Sequence, residues 1–205
     1  MIIWRSFRFK QRKKNQESGI KTNKIMENSG LEKLRYPIGK FITPEFYSNN
    51  YLDEKIAEIG SFPERLKKEV INLTEEQLGT PYREDGWTVR QVIHHCADSH
   101  MNCFIRIKWA LTEDKPTIKF YHEDRWAEMH DNLTMPIQPT LSFLEGLHYR
   151  LAYLMKSLNE EDLEKFFIHP EHNSEFKIKE IIGLYAWHGN HHLAHITELK
   201  KKKGW

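Results

Sequence analysis

Apolar residues recur at helical spacing in four stretches of the chain, separated by polar segments marked with Pro and Gly. In "YLDEKIAEIGSFPERLKKEVINL", Ile56, Ile59, Leu66, Val70 and Leu73 share one face, while Gly60 and Pro63 predict a break or kink. The second stretch, "VRQVIHHCADSHMNCFIRIKWAL", follows Thr88, an N-cap residue with Gln91 at capping-box spacing, and runs to Lys115-Pro116. Thr74 and Gln77 repeat that capping pattern in "LTEEQL". "TLSFLEGLHYRLAYLMKSL" carries a stripe of Phe143, Leu144, Leu147, Leu151 and Leu154, and "KIKEIIGLYAWHGNHHLAHITELKKK" is the fourth helix, ended by Gly204. Between them, "GTPYREDGW" reads as a loop and "KPTIKFYHEDRWAEMHDNLTMPIQP" as loop plus a short helix. "NEEDLEKFFIHPEHNSEF" also reads as a loop, and no strand pair is expected. Four strong helices predict an all-α, up-down four-helix bundle with decorated connections.

Length and charge divide the chain unevenly. Its 205 residues suit one core with a peripheral extension. Residues 1–33 hold nine Lys/Arg against three Glu, a balance of +6 that leaves −4 for residues 34–205 of a chain whose net charge is +2. The first 33 residues are therefore expected to be a basic, disordered extension, with Met26 as an alternative start. A mildly acidic body has no nucleic-acid footprint. No apolar run spans a bilayer, and the N-terminal apolar stretch is too short for a secretory signal, so no membrane association and a cytoplasmic location are expected. Cys96 and Cys103 lie two helical turns apart, too far to bond to each other, and read as buried small hydrophobes.

What changes this picture is "WHGNHHLAH", with four histidines in nine positions. On a helical wheel His188 and His192 fall inside the apolar stripe of the fourth helix, His195 at its edge and His191 outside it. Spacing i, i+4 stacks two imidazoles one turn apart, in register to share a cation. The pair His191 and His195 has the same spacing and competes. Trp187 lies outside the stripe, at a position to meet a partner subunit. On the second helix the wheel makes His100 most inward, His95 second, and turns His94 away.

"LRYPIGKF", "TPYREDGWTVRQVIHHCADSHMN" and "GLYAWHGNHHLAHI" resemble the YfiT-like branch of the DinB superfamily, over residues from about 34 to 205. The resemblance implies a four-helix-bundle, metal-dependent hydrolase, a homodimer, and three histidines that bind one zinc or nickel ion. The matching positions are His95, His188 and His192. For His95 against His100 the resemblance overrides the wheel. His100 is then a core or pocket-lining residue and His148 a pocket neighbour.

Three imidazoles with an open position are the ligand count of a catalytic zinc site. Two chemistries follow for a small-molecule substrate: hydrolysis by activated water, or transfer of a metal-held thiolate, as in thiol S-transferases of the superfamily. "HGNHH" has no Glu after its first His, so the HExxH protease arrangement is absent. Asp98 is the nearest acid to His95, with an equal reading as a surface residue. A non-catalytic metal or small-molecule binding bundle is the third reading. Tyr121 and Trp126 are candidate lid residues.

Overall fold

The computed structural model describes residues 30–171 and 173–205. Most of the basic extension lies outside the described residues. The boundary expected after residue 33 falls inside a helical segment at 30–35. The four long helices are α1 (Asn49–Val70), α3 (Val89–Thr112), α6 (Ile137–Lys156) and α8 (Ile178–Lys203). Short helices α2 (Glu75–Leu78), α4 (Glu123–Ala127), α5 (His130–Thr134) and α7 (Glu160–Glu164) lie in the connections.

Local chemistry explains the ends. Thr74 and Thr88 each accept a backbone N–H, and Gln77 and Gln91 reach back to complete both expected capping boxes. Gly204, with φ of +72°, closes α8 in the left-handed conformation that favours glycine. Gly60 and Pro63 do not break α1, which runs 22 residues. Proline removes only the N–H that would have reached the Ile59 carbonyl, and that carbonyl pairs with His148 Nδ1 instead.

The bundle stands as expected, but its order of directions differs from simple up-down. One core cluster joins Leu52 and Ile56 from the start of α1 to Ile107 and Met155 from the ends of α3 and α6, and to Ile181 from the start of α8. The other joins Leu66 and Val70 to Val92, Leu141 and Leu199. Helices α1 and α8 therefore run one way, and α3 and α6 the other. Each parallel pair packs side by side, and α1 packs against α6 as α8 does against α3. The cause is the connection 113–136. It starts beside the end of α3 and finishes with the Met135 carbonyl accepting from Arg90 Nη1 at 2.8 Å, at the start of α3. Having travelled back along α3, the chain must begin α6 in the same direction.

A strand pair corrects the loop reading of 159–176. β1 (Phe166–His169) and β2 (Ser174–Lys177) are antiparallel, with Phe167 opposite Phe176 and both rings buried in the core. The Ile118 N–H donates to the Ile168 carbonyl at 3.0 Å, tying the 113–136 connection to this hairpin. No helix among the described residues is long and apolar enough to cross a membrane.

Candidate metal centre

Helix α8 approaches α1 closely because Gly189 sits there: a Cβ would come within 3.0 Å of the Phe62 ring. Arg65 and Asn190 lock the approach, Arg65 Nη1 donating to Asn190 Oδ1 at 2.7 Å and Asn190 Nδ2 to Glu58 Oε2 at 2.7 Å. Against this frame, α3 packs antiparallel to α8 and brings His95 to His188 and His192. Each of the three offers a ring nitrogen within 4.8 Å of the others, and all are buried. His95 Nε2 and His188 Nε2 are 3.3 Å apart. At a metal–imidazole bond of ~2.0–2.1 Å, the edge between two ligands of a tetrahedral ion is about 3.3 Å, so this spacing fits an ion between them.

His100 continues the line away from that pair. Its Nε2 is 2.9 Å from His188 Nδ1, its Nδ1 is 2.7 Å from His148 Nε2, and His148 Nδ1 is 2.7 Å from the Ile59 carbonyl. The carbonyl can only accept, so His148 Nδ1 carries a proton. Burial holds His148 down to about 4 and His100 and His188 well below the usual histidine range, so all three rings are neutral at pH 7. His148 Nε2 then accepts from His100 Nδ1–H, and His100 Nε2 accepts from His188 Nδ1–H. The far end is His188 Nε2, a bare lone pair aimed at the site. Pro63 is what leaves the Ile59 carbonyl free to anchor the relay. Wheel and resemblance thus each point to a histidine of α3 that the structure buries, His100 between His188 and His148, and His95 beside His188 and His192.

Burial pushes His95 down to about 3 and His192 well below its usual range, which keeps their lone pairs available. Trp87, in the loop before α3, lies 4.6 Å from the His95 ring and stacks near His192 at 6.4 Å. Neither of the two histidine groupings among the described residues includes a carboxylate. Asp98 accepts from Asn132 Nδ2 at 3.1 Å, and burial raises its pKa.

Three sequence expectations need correction. His94 is buried: its Nε2 lies 3.2 Å from the Met135 carbonyl and its Nδ1 2.7 Å from Thr140 Oγ1. The connection 113–136 and α6 cover the face of α3 that the wheel assigned to solvent. His191, placed outside the stripe, is also buried. Segment 30–48 covers it: Tyr36 sits 5.8 Å from the His191 ring, and Trp187 Nε1 donates to the Gly39 carbonyl at 3.2 Å. Trp187 therefore meets its own chain, stacking on His191 at 4.7 Å. Tyr121 and Trp126 pack on each other at 4.6 Å.

Relatives carry the same fold. A protein of Bacillus cereus strain 03BB102 named "Putative metal-dependent hydrolase" is 51% identical over 175 residues, covering 85% of this chain and 100% of that protein. A relative of the same descriptive name from Bacillus thuringiensis subsp. konkukian matches to the same extent. Among solved structures, YfiT from Bacillus subtilis, described as "a probable metal-dependent hydrolase with an unusual four-helix bundle topology", aligns with a TM-score of 0.83 at 43% identity, over 84% of this chain and 99% of that one. The family model described as DinB superfamily matches residues 61–196, a span that holds every histidine of the site. With that span matched and relatives this similar along their whole length, the chain belongs to the DinB superfamily.

Proposed function

We propose that the protein is a metal-dependent hydrolase of a small molecule, holding one divalent ion, zinc or nickel, on His95, His188 and His192. The observation that carries this is the bare Nε2 of His188, which the relay leaves free 3.3 Å from His95 Nε2. Neutral imidazole donors suit both metals. When bound, such an ion with an open position supplies Lewis acidity, polarising a carbonyl and making water nucleophilic near neutral pH. The chain's own residues do the rest. His100 and His148 hold the His188 proton on Nδ1, and the Trp87 indole walls one side of the site against water. The hydrolase names carried by the relatives support the reaction class.

One observation favours a second reading, transfer of a thiol onto an electrophile. The histidine groups contain no carboxylate to act as general base, and a thiol held as thiolate needs none.

Metal content of the full chain, beside His95→Ala and His188→Ala, tests the site. An ion lost from each variant with helicity retained supports it; wild-type protein that takes up none after reconstitution overturns both readings. On loaded protein, turnover of esters or amides supports the hydrolase, and turnover of thiol–electrophile pairs alone supports the transferase.

A further inference from the structure

The hydrolase reading leaves His191 and His195 without a role. Yet His191, His192 and His195 form a second group, each offering a ring nitrogen within 4.8 Å of the others. Both nitrogens of His191, both of His192 and Nδ1 of His195 are buried with no hydrogen-bond partner. An unsatisfied buried polar atom costs about 1–3 kcal/mol, and whole folds are stable by only ~5–15 kcal/mol. Five such atoms in one place call for an occupant.

The lone pairs are aimed here too. His195 Nε2–H donates to the Arg35 carbonyl at 3.2 Å, so the neutral ring presents a bare Nδ1. Tyr82 stacks on His195 at 4.0 Å and Trp187 on His191 at 4.7 Å, fixing both ring planes. An ion at the first position engages one nitrogen of His192. The other is left without a partner, in a ring whose centroid is 5.1 Å from that of His191 and 5.5 Å from that of His195.

We propose a second divalent-cation position on His191, His192 and His195, adjacent to the first, with His192 serving both through its two ring nitrogens. When both positions fill, His192 releases its ring proton to solvent. The resulting imidazolate carries the negative charge that offsets repulsion between two cations in a site without carboxylates. The ligand class is a divalent ion that favours imidazole nitrogen, such as zinc or nickel. A cleft of about 450 Å³ lined by Tyr82, His195, Glu198 and Lys202 gives the ion a route from solvent. The proposal rests on the three-histidine reading only through His192.

Metal-free full-length protein is titrated with zinc at neutral pH and the bound ions counted by native mass spectrometry. Wild type is expected to saturate at two ions per chain, the double variant His191→Gln/His195→Gln at one, and His95→Ala at one. Wild type saturating at one ion that the double variant keeps and His95→Ala loses overturns the proposal; so does a double variant that still takes two. Cobalt(II) supplies a measurement that needs no variant. At two equivalents, wild-type protein is expected to show magnetic coupling between the ions by electron paramagnetic resonance, and two uncoupled signals overturn the bridge. Failure of the first site looks different: the ion count is unchanged in His95→Ala but falls in the double variant.

Discussion

His188 and His192 stand one turn apart on α8, yet their surroundings differ in kind. Behind His188 runs a chain of hydrogen bonds through His100 and His148 to the Ile59 carbonyl, which sets every proton along it. Behind His192 are His191 and His195, whose orphaned nitrogens set nothing. The same i, i+4 spacing thus yields one imidazole whose lone pair is fixed by its hydrogen bonds and another whose tautomer is left open. A hydrogen-bonded imidazole is held in orientation and made more basic. The difference teaches that one spacing can carry either a ring fixed by its neighbours or a ring left unsatisfied, and the proposed ions should feel that difference as affinity on the relay side.

The contrast is sharpest if one ligand is deleted on the relay side. His188→Ala is expected to abolish retention of the first ion through a chelator wash, because the relay then aims at nothing. Retention of that ion in the variant, by elemental mass spectrometry, would show that the relay is structural only.

Acid should act on both sides together. Burial first, then neighbouring charge, lowers His95 and His191 to about 3, and burial lowers His148 and His195 to about 4. In the unfolded chain each titrates near 6.5. A pKa lowered by folding leaves stability complete above about 6.5, and it is lost as pH falls toward the folded value, because the unfolded state takes up the proton first. The loss is about 1 kcal/mol per pH unit for each ring, so four rings remove about 6 kcal/mol between pH 6.5 and 5, comparable with a whole domain's stability. Urea midpoints of the metal-free protein should fall steeply between pH 7 and 5. A flat profile would mean the rings are solvated rather than buried.

His100→Phe separates the two sides more finely. The ring volume stays and Phe62 still packs against it, but His188 Nδ1 loses its acceptor. Loss of such a partner typically lowers metal affinity by about 10–100-fold. Nitrogen-15 spectra of the metal-free variant should show the His188 proton no longer confined to Nδ1, while the His195 signals stay put. Unchanged affinity and an unchanged His188 pattern would remove the relay from the account.

Much of this was legible in the residues, and what was not has physical causes. The four helices, both capping boxes and the pair His188/His192 follow from periodicity and spacing alone. The wheel ranked His100 above His95, and the structure buries both, because an inner helix face that touches two neighbours is wider than one stripe. It misplaced His94, His191 and Trp187 for one reason. A wheel assigns the back of a helix to water, whereas here connection 113–136 and segment 30–48 cover those backs. The strand pair was missed because each strand is only four residues, although "FFIH" buries alternate positions around a turn marked by Pro170 and Asn173. The reversal of helix direction is a property of how far connection 113–136 travels, which local pattern does not encode.

Pro63 links a fold-level oddity to the site, and its replacement is the smallest effect expected. In Pro63→Ala the new N–H can reach the Ile59 carbonyl, restoring the helix bond that proline omits. Helix-interior proline is disfavoured relative to alanine by about 3 kcal/mol, and the buried ring that is lost offsets part of that gain. Net stability should therefore rise modestly in thermal unfolding. The carbonyl has two lone pairs, so His148 keeps a weakened bond rather than none. Affinity for the first ion should fall by only a few-fold, below the range expected when the relay partner itself is removed. A gain in stability with affinity unchanged would mean the carbonyl serves both donors equally, and the proline would then owe its place to packing rather than to the relay.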